Sequence, residues 1–146
     1  MTFLAPRVID GKAVFLSKDG SPQKVLSGCL NKITCKEWAT NESLLLHFET
    51  ENGITILSLP KTPYNGNKGS WKPSVLKLVS QLAKCDLSEP VTLRLFKGKV
   101  GDKEYAIIAV DQCDDSDILR MEDLRTSFQS QGVKFYPDPY RAKEGF

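Results

Sequence analysis

Histidine is almost missing from this chain: His47 is the only one among 146 residues. General acid–base chemistry and metal binding lean on histidine, and a nucleophile needs both a base and a group that orients it. Cysteine is sparse as well. Cys29, Cys35, Cys85 and Cys113 form no Cys-x-x-Cys pair, and the five-residue gap between Cys29 and Cys35 is not a zinc spacing. Neither the Gly-x-Ser-x-Gly elbow nor the phosphate-cradling Gly-x-x-x-x-Gly-Lys-Ser/Thr loop occurs. Asp114-Asp115-Ser116-Asp117 mimics part of a carboxylate metal loop but lacks the glycine and closing glutamate of an EF-hand. A dyad of Cys85 with His47 is the one catalytic pairing left open. The expectation is a protein that is not an enzyme and uses no metal or cofactor.

Long apolar runs are also lacking. None approaches the roughly 20 residues of a membrane-spanning helix. The opening Met1-Thr2-Phe3-Leu4-Ala5-Pro6-Arg7 does not have the basic-then-apolar layout of a signal peptide. Reduced thiols in a cytoplasmic setting are the expectation. What is present is ordinary for a globular chain: 40% hydrophobic and 26% charged residues in 16.3 kDa, enough for one core.

The net charge of +2 conceals an uneven division. Residues 1–110 hold 15 Lys+Arg against 10 Asp+Glu, and residues 111–146 hold 5 against 8. This divides the chain into a basic body, 1–110, and an acidic linker, short helix and tail, 111–146.

Within the body, Ala13-Val14-Phe15-Leu16-Ser17 reads as a short strand ending at the turn Asp19-Gly20-Ser21-Pro22. Residues 25–38 form the first long strand, with Gly28 marking a bulge or bend. Leu44-Leu45-Leu46-His47-Phe48 and Ile54-Thr55-Ile56-Leu57-Ser58-Leu59 flank Asn52-Gly53, a hairpin signal. Residues 60–72 are a loop by composition. Pro73 opens a helix whose Val75, Leu76, Val79, Leu82 and Ala83 recur at helical spacing and which ends near Cys85. Strands follow at 91–96 and 104–110, and a second short helix at 118–128 ends at Gly132.

The resulting order, three strands, a helix and two strands after one short strand, is that of an OB-fold. The expected architecture is a mainly β, five-stranded antiparallel barrel with one helix between strands 3 and 4, plus a C-terminal extension. An SH3-like barrel or another small α+β sheet shares this order.

Candidate binding residues fall in two groups. The 60–72 loop carries Lys61, Lys68 and Lys72 with the aromatics Tyr64 and Trp71 and no acid. Single-strand binders combine a positive groove with aromatic faces on which bases stack. The second group comes from strands: Lys32, Lys36 and Trp38 on or just after the first long strand, then Arg94, Phe96, Lys97, Lys99 and Lys103 on the fourth strand and its turn. Alternation puts Arg94 and Phe96 on the face opposite Leu93 and Leu95. The plainer alternatives are that Trp71 tucks onto the helix and Phe96 closes the barrel end. The acidic run 111–123 reads either as a solvated linker or as a tail that recruits partners.

Taken in order, Phe15-Leu16-Ser17-Lys18-Asp19-Gly20, Val25-Leu26-Ser27-Gly28, the strand pair through Leu44 to Leu59, Leu78 to Leu82, and Asp86-Leu87-Ser88-Glu89-Pro90-Val91-Thr92-Leu93 resemble small single-stranded DNA-binding proteins of bacteriophages. The resemblance spans residues 13–112. It implies an OB-fold and non-catalytic, sequence-tolerant binding of single-stranded DNA in phage replication or recombination, in the host cytoplasm, with replication proteins as further partners of the C-terminal region. Against the usual acidic tail, this chain places Arg141, Lys143 and Glu144 before Phe146. Two other readings stand beside it: a small protein-interaction module, such as a phage accessory protein or host-defence inhibitor, and an oligosaccharide-binding barrel.

Overall fold

The computed structural model describes residues 1–38, 41–60 and 73–136; the side chains of residues 36–38, 41–42 and 60 are outside that description. In chain order the elements are β1 (Thr2–Ile9), β2 (Lys12–Ser17), β3 (Pro22–Gln23), β4 (Val25–Trp38), β5 (Asn41–Thr50), β6 (Gly53–Pro60), α1 (Pro73–Ala83), β7 (Val91–Val100), β8 (Lys103–Val110), α2 (Met121–Ser130) and β9 (Lys134–Phe135).

The strands form one sheet in the order β3-β2-β1-β6-β5-β4-β7-β8, with β9 added in parallel beside β4. The sheet curls into a half-barrel whose edges remain 12 Å apart. The expected closed five-stranded barrel is therefore wrong: among the described residues the sheet has nine strands and is open, with helices after β6 and after β8. The resemblance to OB-fold phage proteins falls with it.

The error has a local cause. Strand β1, hidden from the sequence reading, pairs antiparallel with β2 and parallel with β6. Pro6 within it argues against a strand, since proline cannot donate to a ladder. The register resolves this. Pro6 faces Phe15 across the hairpin, and pairing with β6 stops at Leu4, so no neighbour asks Pro6 for an N–H. The turn is Asp10-Gly11, with φ of 51° and 74° at the two residues. Positive φ at both central positions matches the twist of a two-residue hairpin, and Asp-Gly supplies it.

The long strand β4 is the hinge of the sheet. Residues 25–28 pair with β7, and Lys32 and Ile33 pair with β9, on the edge opposite β5. The register against β5 shifts between Leu30 and Lys32. Gly28 lies where the strands crowd: a Cβ there would come within 2.7 Å of the Glu49 carbonyl oxygen.

The described elements share one core. The concave face of the sheet contributes Leu4, Phe15, Leu30, Ile33, Leu46, Phe48 and Leu57, all buried. Helix α1 lays Val75, Leu78, Val79 and Leu82 against it. From beyond residue 111 come Leu124 and Phe128 of α2, then Val133 and Phe135. The Phe128 and Phe135 rings stack 5.4 Å apart.

The acidic segment between β8 and α2 is tied to α1 by polar bonds. Ser80 is fully buried, and its Oγ accepts a bond from the Leu119 N–H at 3.0 Å. Gln81 Nε2 donates to the Asp115 carbonyl at 3.1 Å. Lys84 Nζ donates to the Asp117 carbonyl at 2.7 Å and pairs with the Asp115 carboxylate at 3.2 Å. The two buried polar side chains of α1 thus have their partners in the acidic segment.

Candidate interaction surface

Lys61, Tyr64, Lys68, Trp71 and Lys72 lie outside the described residues, as do the side chains of Lys36 and Trp38. The other five candidates separate into two places. Lys32 is half-buried on β4, opposite His47 of β5 and Lys134 of β9. Burial, then the Lys32 charge, lowers the His47 pKa. Its Nε2 lies 2.9 Å from Thr34 Oγ1. Arg94, Phe96, Lys97 and Lys99 lie on β7, whose pairing with β4 ends at Val25.

On β7 these four divide between two faces. Arg94 and Phe96 share one. Arg94 is occupied: its Nε reaches the two Asp111 carboxylate oxygens at 3.0 and 2.7 Å. Lys97 and Lys99 lie on the other face, and Lys97 pairs with Glu104 across the hairpin at 3.7 Å. The residues do not line a single basic groove.

The β7–β8 hairpin presents a different surface. Val91, Leu93 and Val110 at its base are buried, but from Phe96 onward both faces reach solvent. The register sets Phe96 opposite Ile107, Gly98 opposite Tyr105 and Val100 opposite Lys103. Phe96, Val100, Tyr105 and Ile107 therefore lie together on one face, 56%, 68%, 42% and 40% exposed. Gly98 makes room for them: a Cβ there would strike Ile107 Cδ1 at 2.6 Å and the Tyr105 ring at 2.8 Å. A continuous exposed apolar face rimmed by charge marks an interaction site more often than a free surface.

Strand β8 also ends the sheet. The Asp111 N–H donates to the Thr92 carbonyl at 2.9 Å, which sets the phase of the ladder. Odd-numbered residues of β8 turn their backbone groups to β7, and even-numbered ones turn theirs to the open edge. At Val110 that carbonyl is already taken by the Cys113 N–H at 3.3 Å. Glu104, Ala106 and Ile108 present their N–H and C=O outward, and no described strand is hydrogen-bonded to them, although β1 and α1 pack near β8 and Cys113 bridges to Val110 at the end of the edge.

The two edges of the sheet are unlike. Strand β3 at the far edge has two residues, and its Pro22 has no N–H. Short length and proline are common ways of blunting an edge. Strand β8 has eight residues, no proline, and no charge from Tyr105 to Val110. The sequence carries no surface signal at Tyr105 and Ile107, because the uncharged apolar run Tyr105-Ala106-Ile107-Ile108-Ala109-Val110 has no alternation that separates an exposed face from a buried one.

A shallow groove of about 320 Å³ lies elsewhere, on β1, β2, β5 and β6, with Phe3, Leu16 and Leu45 among its walls. Its two cations have local partners: Lys18 lies 5.2 Å over the Phe3 ring, and Arg7 donates to the Pro6 carbonyl at 2.8 Å. Among the described residues, no group of three or more His, Cys, Asp and Glu side chains is placed to hold a metal ion. No described helix is long and apolar enough to cross a membrane.

The described residues form a mixed, open half-barrel sheet with two helices. Compared with known proteins, it matches no family profile and no curated sequence. The expected single-stranded DNA binding in phage replication rested on an OB-fold groove, and the open nine-stranded sheet removes that groove.

Proposed function

We propose that this protein is a non-catalytic protein-interaction module that docks a partner on the β7–β8 hairpin. The observation that carries the reading is the coincidence, on one hairpin, of an exposed apolar face and an unblunted sheet edge. An extended segment added along β8 would pair with the free groups of Glu104, Ala106 and Ile108. Its side chains would cover Tyr105 and Ile107. Main-chain bonds supply affinity in this mode, and alternate side-chain contacts supply selectivity. We place this activity in a reducing cytoplasm, a setting that the four free thiols support.

The test is a selection of random extended peptides displayed against the protein, repeated against Ala106→Pro and Phe96→Asp. Ala106 turns its N–H to the open edge, where proline is tolerated, so the variant keeps the ladder to β7 while losing the docking donor. Enriched peptides that bind the wild type and lose both variants support the module. Peptides that bind all three proteins equally, or no enrichment at all, refute it.

A further inference from the structure

Strand β8 is complementary to itself. Resting on the interaction reading above, we propose that the partner on this edge is a second copy of the same chain, paired β8 to β8 about a two-fold axis through Ala106. A two-fold pairing is antiparallel and joins a patch to itself. Centred at Ala106, it sets Ala106 against Ala106 of the second copy and Glu104 against its Ile108. These three residues are the ones whose backbone groups face the open edge, and all of them are used. The centre falls on a small residue, where two strands approach without obstruction. The same register sets Tyr105 beside Ile107 of the second copy, twice over, in the closely spaced pairs of an antiparallel ladder. Phe96 and Val100 of each copy flank this joined apolar face.

Charge favours the antiparallel sense. The turn that opens β8 carries Lys97, Lys99 and Lys103 against Asp102 and Glu104. Glu104 is taken by Lys97, while Lys99 and Lys103 have no ion pair among the described residues. The end of β8 runs into Asp111, Asp114, Asp115 and Asp117. Asp111 and Asp115 are matched by Arg94 and Lys84, but Asp114 and Asp117 have no ion pair among the described residues. Antiparallel pairing brings the basic turn of each copy beside the acidic end of the other. A parallel pairing would set like charges together. One symmetric contact thus accounts for the apolar face, the open edge and the uneven charge.

Sedimentation velocity over a concentration series, on the full chain, tests this. The wild type should associate to a dimer, and Ala106→Pro should weaken it by at least about tenfold, since each copy loses a backbone bond. A charge exchange covers the case in which Ala106→Pro fails to fold. Lys99→Glu/Lys103→Glu alone and Asp114→Lys/Asp117→Lys alone should each be monomeric. Their equimolar mixture should form a heterodimer, because both contacts then join opposite charges. A wild type that stays monomeric at every concentration overturns the proposal, as does a dimer indifferent to Ala106→Pro and to the charge exchange. Monomeric wild type with edge-dependent peptide selection would sink the dimer alone; absence of both would sink the interaction reading with it.

Discussion

Replacing Phe128 with alanine would test whether the C-terminal segment belongs to the core. Phe128 is fully buried in α2, and its ring stacks on Phe135 at 5.4 Å with an interplanar angle of 11°. Truncating a buried phenylalanine to alanine costs about 3–5 kcal/mol, the lost transfer energy plus the cavity left behind. The ring pair accounts for roughly 0.5–1.5 kcal/mol of that. Total stability for a domain is on the order of 5–15 kcal/mol, so the loss is a large share of it. In urea, with a slope of about 2 kcal/mol per molar, the unfolding midpoint should fall by roughly 2 M. The transition should remain single, because Phe128 shares its cluster with Leu82, Leu93 and Val110. Gln129→Ala, one residue along on the exposed side of α2, is the control and should change stability by less than about 0.5 kcal/mol. A loss below about 1 kcal/mol for Phe128→Ala, or a separate early transition, would refute the claim that α2 and β9 are part of one core.

Three further outcomes are expected. Gly28→Ala should destabilise by about 1–3 kcal/mol in the same urea assay, because its Cβ would meet the backbone oxygen of Glu49 at 2.7 Å; an unchanged midpoint would mean that β4 and β5 separate more easily than their register suggests. Burial and the Lys32 charge hold the His47 pKa below its ordinary value of 6.5, so the unfolded chain binds the proton more readily. The His47 contribution should therefore be complete above pH 6.5 and be lost as pH falls through the folded value, a dependence that His47→Gln should flatten in urea titrations at several pH values. Burial, with a smaller effect of Cys113, pushes the Cys85 thiol up to about 11. In the folded protein at pH 8, Cys85 should be the slowest of the four cysteines to react with a thiol reagent, as peptide mapping of the labelled protein would show.

Several elements were legible from local chemistry alone. The apolar repeat after Pro73 marks α1, the Asn52-Gly53 dipeptide marks the turn between β5 and β6, and alternation in residues 91–96 separates the Arg94 and Phe96 face from the Leu93 and Leu95 face. One missed feature had a readable signal: Asp10-Gly11 between two apolar runs is a strong hairpin dipeptide. Pro6 hid the strand before it, and its tolerance depends on where the β6 pairing stops. That boundary is a tertiary fact.

Sequence by itself determined the periodic elements, the scarcity of catalytic and metal-ligating residues, and the uneven charge, because each depends on residue identity and near spacing. Only the tertiary structure decided that β1 pairs with β6, that the sheet stays open, that Phe128 reaches the same core as Phe15, and that one edge is blunted while β8 is not. These are pairings between residues far apart in the chain. Their register follows from which faces can be buried together, a choice that no single stretch of sequence contains. For the same reason nothing local in the run from Tyr105 to Val110 tells that Tyr105 and Ile107 stand at the surface while Val110 is buried.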